Sequence, residues 1–167
     1  MAEIETPPEP QRTLITTRKE YLDAVERLFG MVKRELRVFD PDLSELDFNS
    51  ENRVAALRRI LSGGRMHRVY IALHDVEYVT TRCPRLIELL LIYPDGLFIF
   101  RTGGEAARAQ DRFLLADESH VVRRPVATQP RGAVLLHDMH EGHAMRLRFD
   151  EIWESSTPAV SATKIGL

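Results

Sequence analysis

The chain has 167 residues, 44% apolar and 29% charged, with a formal net charge of −2. That length suits one domain with a proper core and would crowd two, and the near-neutral charge excludes an overall basic field of the kind that holds nucleic acid non-specifically. Cys83 is the only cysteine, so no internal disulfide can form and a reducing, cytoplasmic setting is expected.

Residues 1–13, beginning MAEIETPPEP, are acidic and proline-rich with nothing to bury, and read as a disordered tail without the apolar run of a signal peptide. Thr17 then caps a first helix, with Glu20 three residues on as in a capping box and Tyr21, Val25, Leu28, Phe29 and Val32 at helical spacing. Leu36, Val38 and Phe39 make a short strand stopped by Asp40-Pro41. Ser50 opens a second helix that Gly63-Gly64 ends. RVYIALHD, from Arg68 to Asp75, is nearly continuous in apolar character, as suits a strand covered on both faces. Pro84 to Leu91 reads as the end of a third helix. Its longest apolar run, LIELLLIY, is interrupted by Glu88 and far too short to cross a bilayer, so no membrane span is expected.

GLFIFR (Gly96 to Arg101) is the next strand. RFLLAD and HVVRRP form two more around Glu118-Ser119, and GAVLLHD (Gly132 to Asp138) is the last. A closing helix over about His143 to Ser155 puts Met145, Phe149, Ile152 and Trp153 on one face, and residues 157–167 have tail composition. The order predicts an α/β fold over residues 14–156: a mixed, mostly parallel β-sheet flanked by helices on both faces. The expected core includes Val38, Phe39, Leu57, Val69, Ile71, Leu90, Phe98, Phe100, Leu114, Leu115, Leu135, Phe149 and Trp153.

One stretch is framed as though built around a site. Gln110-Asp111-Arg112, four apolar residues (Phe113 to Ala116) and Asp117 have the spacing of His-x-Lys-x4-Asp. With VFDPDL, RVYIALHD and FDEIWESS in the matching order, residues 17 to 156 resemble one half of a phospholipase D-like fold with a degenerate motif. Gln110 stands at the His position, Arg112 at the Lys position and Asp117 at the Asp position. In that superfamily an imidazole attacks phosphorus and a second imidazole protonates the leaving oxygen. A carboxamide has no basic nitrogen and does neither. The resemblance therefore implies a catalytically inactive module with a remnant anion site at Gln110, Arg112, Asp117 and Arg124, where Arg112 offers a guanidinium fork for phosphate. One motif copy implies a homodimer paired about a two-fold axis, with the stretch from Gln110 to Asp117 on the shared face. A phosphate-containing ligand or a partner protein fits this reading.

Other readings stay open. Taken alone, Gln110 is a polar residue before a strand, Arg112 a surface ion pair with Asp111 or Asp117, and Arg123-Arg124-Pro125 a solvated strand end where the motif's small Gly-Ser pair would stand. A phosphodiesterase or nuclease using His120 or His137 is one alternative. A nucleic-acid binder using Arg123, Arg124 and Arg131 is another, though the net charge opposes it. His137, His140 and His143 lie three apart, a spacing that fits no zinc motif. Cys83 reads as a buried inert thiol, and His74-Asp75 as a strand end that could line a cleft at the sheet's carboxyl edge. The glycine pairs at 63–64 and 103–104 lack the spacing of a phosphate loop, so no cofactor is expected.

Overall fold

A computed structural model describes residues 6–160. Five helices and eight strands follow in the order β1 (Gln11–Ile15), α1 (Arg18–Met31), β2 (Glu35–Asp40), α2 (Glu51–Ser62), β3 (Arg68–Leu73), α3 (Glu77–Arg82), α4 (Pro84–Ile92), β4 (Leu97–Arg101), β5 (Arg112–Ala116), β6 (His120–Arg124), β7 (Gly132–Leu136), α5 (Met139–Glu154) and β8 (Thr157–Val160), with a 3-10 turn at Gly104–Arg108. The strands form one sheet in the order β1-β7-β6-β5-β2-β3-β4-β8.

The local signals act where the residue types place them. Thr17 Oγ1 accepts from the Glu20 backbone N at 3.1 Å, and Ser50 Oγ accepts from Arg53 N at 3.1 Å, so both predicted caps satisfy orphan donors of a first turn. The Glu20 carboxylate takes the hydroxyls of Thr16 and Thr17, which hold it below the usual carboxylate value. Pro84 sits in the first turn of α4, where its missing N–H costs nothing, and so starts a helix separate from α3.

The α/β class and the helices on both faces hold, but the balance of pairing differs from expectation. Only β2–β3 and β3–β4 run parallel, while the other five neighbouring pairs are antiparallel. The reason is connection length: crossover helices separate β2, β3 and β4, whereas short turns join β5 to β6 and β6 to β7. Both segments read as tails also contribute edge strands. Gln11–Ile15 pairs with β7 and Thr157–Val160 with β4; a neighbour's ladder supplies what composition does not advertise, and Pro158 is tolerated because β8 is an edge. Residues 1–5 and 161–167 of those two tails lie outside the described residues.

The two faces are covered unequally. Helices α1, α2 and α4 bury one face through Leu28, Leu57, Leu89, Ile71 and Leu114; α5 alone covers the other through Met145, Phe149 and Ile152 against Phe39, Phe113 and Leu135. One helix cannot span eight strands. Phe98, Phe100 and Trp153, expected in the core, are consequently only partly buried, with Trp153 stacked on Phe100 at 4.0 Å between ring centroids.

Candidate functional site

The carboxyl ends of the parallel strands and the start of β5 meet at one edge of the sheet. On the face covered by α1, the β5–β6 ladder sets Arg112 directly opposite Arg124. Both side chains are buried, at 2% and 4% exposure. Arg112 Nη2 pairs with Oδ1 of Asp40, the last residue of β2 and itself 1% exposed. Arg112 Nη1 and Arg124 Nη1 each reach the same oxygen of Glu45, Oε2, at 3.5 Å. Arg18, exposed on α1, approaches that oxygen at 3.8 Å. Both buried guanidiniums lie over the Tyr21 ring, at 5.1 Å for Arg112 and 4.6 Å for Arg124, an arrangement that rewards a desolvated cation. Arg124 Nε donates to Gln129 O at 2.6 Å.

The electrostatics follow from burial. Desolvation works against the charge of Arg112, but Asp40, Tyr21 and Glu45 outweigh it and hold the guanidinium above its ordinary value. Burial pushes the Asp40 carboxyl up, and Arg112 with the backbone N–H groups of Leu43 and Asp42 opposes that rise. The Tyr21 phenol is driven up, chiefly by desolvation, and stays neutral as a hydrogen-bond donor. Its hydroxyl and Arg112 Nε are buried without a hydrogen-bond partner.

Of the predicted site residues, Arg112 and Arg124 come together. Gln110 lies at the same edge with its side chain exposed, and its carbonyl accepts from Ala127 N at 2.6 Å. Asp117 does not join them. It sits at the other end of β5, about 16 Å along the strand from Arg112, with φ 53°, and its carboxylate accepts from the backbone N–H groups of Lys33 at 3.0 Å, Arg34 at 2.8 Å and Glu35 at 3.1 Å. Its place is structural: it closes the turn from α1 into β2. Gln110 and Asp117 therefore lie at opposite ends of the same strand. Arg112 does not pair with Asp111 or Asp117 either; Asp111 makes a two-pronged contact with Arg148 of α5, at 2.9 and 2.5 Å.

The other expected clusters separate as well. Arg123 turns to the opposite face and pairs with Glu141 at 3.0 Å, so it forms no common patch with Arg124. His120 and His137 pack edge to face with centroids 4.7 Å apart, but Ala116 is opposite His120 and Arg112 opposite Arg124, leaving the imidazoles about 13 Å from the arginine pair. His140 and His143 are exposed on α5, and among the described residues no group of three or more His, Cys, Asp or Glu is placed to hold a metal ion. His74 follows β3 beside Phe39 on the α5 face, with Nδ1 2.7 Å from Thr102 Oγ1 and Nε2 2.9 Å from Ala109 O; it ties the sheet edge to the approach of β5.

Sequence reasoning passed over Tyr21, read as an apolar helix position, Asp40, read as a strand stop, and Glu45, which it did not single out. The available signal for Asp40 was its place at the carboxyl end of a strand that runs parallel to its neighbour, where open α/β sheets gather polar groups.

A family model described as "Domain of unknown function (DUF7931)" matches residues 17–163. The chain belongs to the DUF7931 family. No curated protein matches the sequence. Among solved structures, this DUF7931 domain is similar to TrmBL2, described as an archaeal chromatin protein with a novel mode of DNA binding, at TM-score 0.62 and 16% identity over 93% of this chain and 57% of that one. It is similar to Nuc from Salmonella typhimurium, a phospholipase D family member, at TM-score 0.59 and 14% identity over 92% of this chain and the whole of that one. It is also similar to the phosphatidylserine synthase of Haemophilus influenzae Rd KW20, at TM-score 0.61 and 12% identity over 95% of this chain and 41% of that one. The DUF7931 domain thus has a phospholipase D-like fold, spanning all of the Nuc chain but well under two thirds of the other two. Among the described residues no helix is long and apolar enough to cross a membrane.

Proposed function

We propose that this DUF7931 domain is a non-hydrolytic phospholipase D-like module that binds a phosphate-bearing ligand or partner through Arg112 and Arg124 and works as a homodimer. The observation that carries the reading is the pairing of two buried arginines at the motif's Lys position and its cross-strand neighbour, beside an exposed amide where the motif has its imidazole. The residues gathered there supply donors and charge and no nucleophile: Tyr21 is kept protonated, Asp40 is engaged with Arg112, and Gln110 does not titrate near neutrality. The distance of His120 and His137 from the arginines argues against hydrolysis through them. Coverage of the whole Nuc chain and 41% of the synthase chain supports a single lobe that pairs with a second copy, with Gln110 rather than Asp117 at the shared edge.

The test is calorimetric titration of the wild type with inorganic phosphate, beside an assay of bis-p-nitrophenyl phosphate turnover. Saturable phosphate binding that weakens at least tenfold in Arg124→Met, with no turnover, supports the proposal. Turnover that disappears in His120→Ala would overturn it. Sedimentation equilibrium showing only monomer at high micromolar concentration would remove the dimer.

A further inference from the structure

The buried cluster has an unequal charge count. Arg112 and Arg124 bring two positive charges, and Asp40 is the one carboxylate buried with them. Glu45 supplies the second negative charge from a different position: its side chain is 36% exposed and its Oε2 stands at 3.5, 3.5 and 3.8 Å from Arg112, Arg124 and Arg18. These separations are longer than the 2.7–2.9 Å or so of a tight guanidinium–carboxylate pair. The backbone around Glu45 is well anchored, because Leu43, Leu46 and Phe48 are fully buried and Asp40 Oδ2 accepts from Leu43 N at 2.8 Å. Glu45 can therefore leave by rotating its side chain alone, without unfolding its loop.

What it would leave behind is a built anion site. Two guanidiniums, one internal carboxylate and the rim cation Arg18 give a net charge of about +2, which complements a phosphate monoester carrying roughly −1.5 to −2 near neutral pH. Two donors there are buried and unpartnered, the Tyr21 hydroxyl and Arg112 Nε. A buried donor without an acceptor is costly, and a tetrahedral oxyanion offers more acceptors than the carboxylate it would replace. Tyr21, Asp40, Arg112 and Arg124 are all within 4% of complete burial while Glu45 is 36% exposed, so solvent meets the cluster on the Glu45 side.

We infer that Glu45 is an internal plug of the anion site, a carboxylate that occupies the seat of a terminal phosphate and is displaced when that phosphate binds. The inference rests on the anion-site reading above and adds its ligand class and its regulation: the free site is self-neutralised, and only an anion of higher charge competes for it. A free phosphate and a phosphate at the end of a larger molecule share this chemistry, and inorganic phosphate and phenyl phosphate separate the two sources.

The experiment measures binding of both probes by calorimetry, and thermal melting against phosphate at constant ionic strength, for the wild type, Glu45→Gln and Glu45→Asp. The expected result is at least tenfold tighter binding by Glu45→Gln, with Glu45→Asp between it and the wild type. Should Glu45→Gln prove poorly folded in chloride, a melting temperature that phosphate raises saturably, and more than in the wild type, supports the plug. Equal affinity in all three proteins overturns the plug and leaves the anion site standing. No binding to any folded variant overturns both. Tighter binding of inorganic phosphate than of phenyl phosphate assigns the seat to the free ion; the reverse assigns it to an end group.

Discussion

Arg112 and Arg124 face each other across the β5–β6 ladder, point to the same side of the sheet and share one oxygen of Glu45. Two like charges opposite one another weaken a sheet, so this pair persists through its counter-charges. Arg112 depends on Asp40, which is fully buried; Arg124 depends on Glu45, which is partly hydrated. Arg112→Met should cost about 3–5 kcal/mol, because it strands a buried carboxylate, and Arg124→Met clearly less. Adding Asp40→Leu to Arg112→Met should restore part of the loss. Urea denaturation of the two single variants and the double variant checks the order, and equal losses in the single variants would contradict it.

Asp117 has a structural task at the end of β5. Its carboxylate gathers three successive backbone donors, Lys33 to Glu35, from more than 80 positions earlier in the chain. Asp117→Ala should lose about 1–3 kcal/mol of stability while leaving phosphate affinity within twofold. Chemical denaturation and titration calorimetry on the same sample decide it, and a selective loss of binding would return Asp117 to the site.

Two helical glycines have opposite surroundings. A Cβ on Gly142 of α5 would overlap the Glu118 carbonyl and come within 3.0 Å of Ser119 Cα, so the helix lies directly against the β5–β6 turn. A Cβ on Gly30 of α1 would meet nothing within 4 Å. Gly142→Ala should destabilise by about 1–3 kcal/mol, and Gly30→Ala should stabilise by about 0.5–1 kcal/mol. Thermal melts of both variants test this.

The His120 imidazole is held below its ordinary value of 6.5, first by burial and then by His137, with Asp117 pulling the other way and Lys33 adding to the depression. Its Nδ1 lies 3.1 Å from the His137 backbone N as acceptor. The folded state therefore takes up this proton less readily than the unfolded chain, and stability falls as pH drops below about 6.5 until the folded-state value is passed. His120→Asn keeps an acceptor and removes the titration, so its denaturation midpoint should depend less on pH between 7 and 5 than that of the wild type. Parallel pH profiles would contradict the assignment.

Cys83 is fully buried, and burial, with the charge of Asp47, pushes its thiol up to about 11. The native protein should react with Ellman's reagent at least tenfold more slowly than the denatured protein. A fast native reaction would show that the segment between α3 and α4 opens readily.

Much of the fold was legible because local chemistry is strong at its element ends. Thr17 and Ser50 mark helix starts whatever lies around them, and the apolar runs of β2, β3, β5 and β7 demand burial wherever they pair; Pro84, expected within the end of a third helix, instead opens α4. Edge strands β1 and β8 carry no such mark, since their partners sit more than 50 residues away in the chain. The same holds for the half-buried aromatics of β4: their alternation was visible, but the number of helices available to cover them was not.

The order of residues from Gln110 to Asp117 determined, from the sequence alone, that an apolar strand runs from Arg112 to Ala116 with Asp117 just past it, because residue identity and covalent distance along a strand need no fold to be read. Which charges meet was decided by tertiary structure. Alternation across β5 and β6 sends Arg112 and Arg124 to one face and Arg123 to the other, strand length removes Asp117 to the far edge, and the packing of α1 and the loop after β2 delivers Tyr21, Asp40 and Glu45. Burial then fixes how strongly those charges interact, since desolvation acts only once the chain has closed around them.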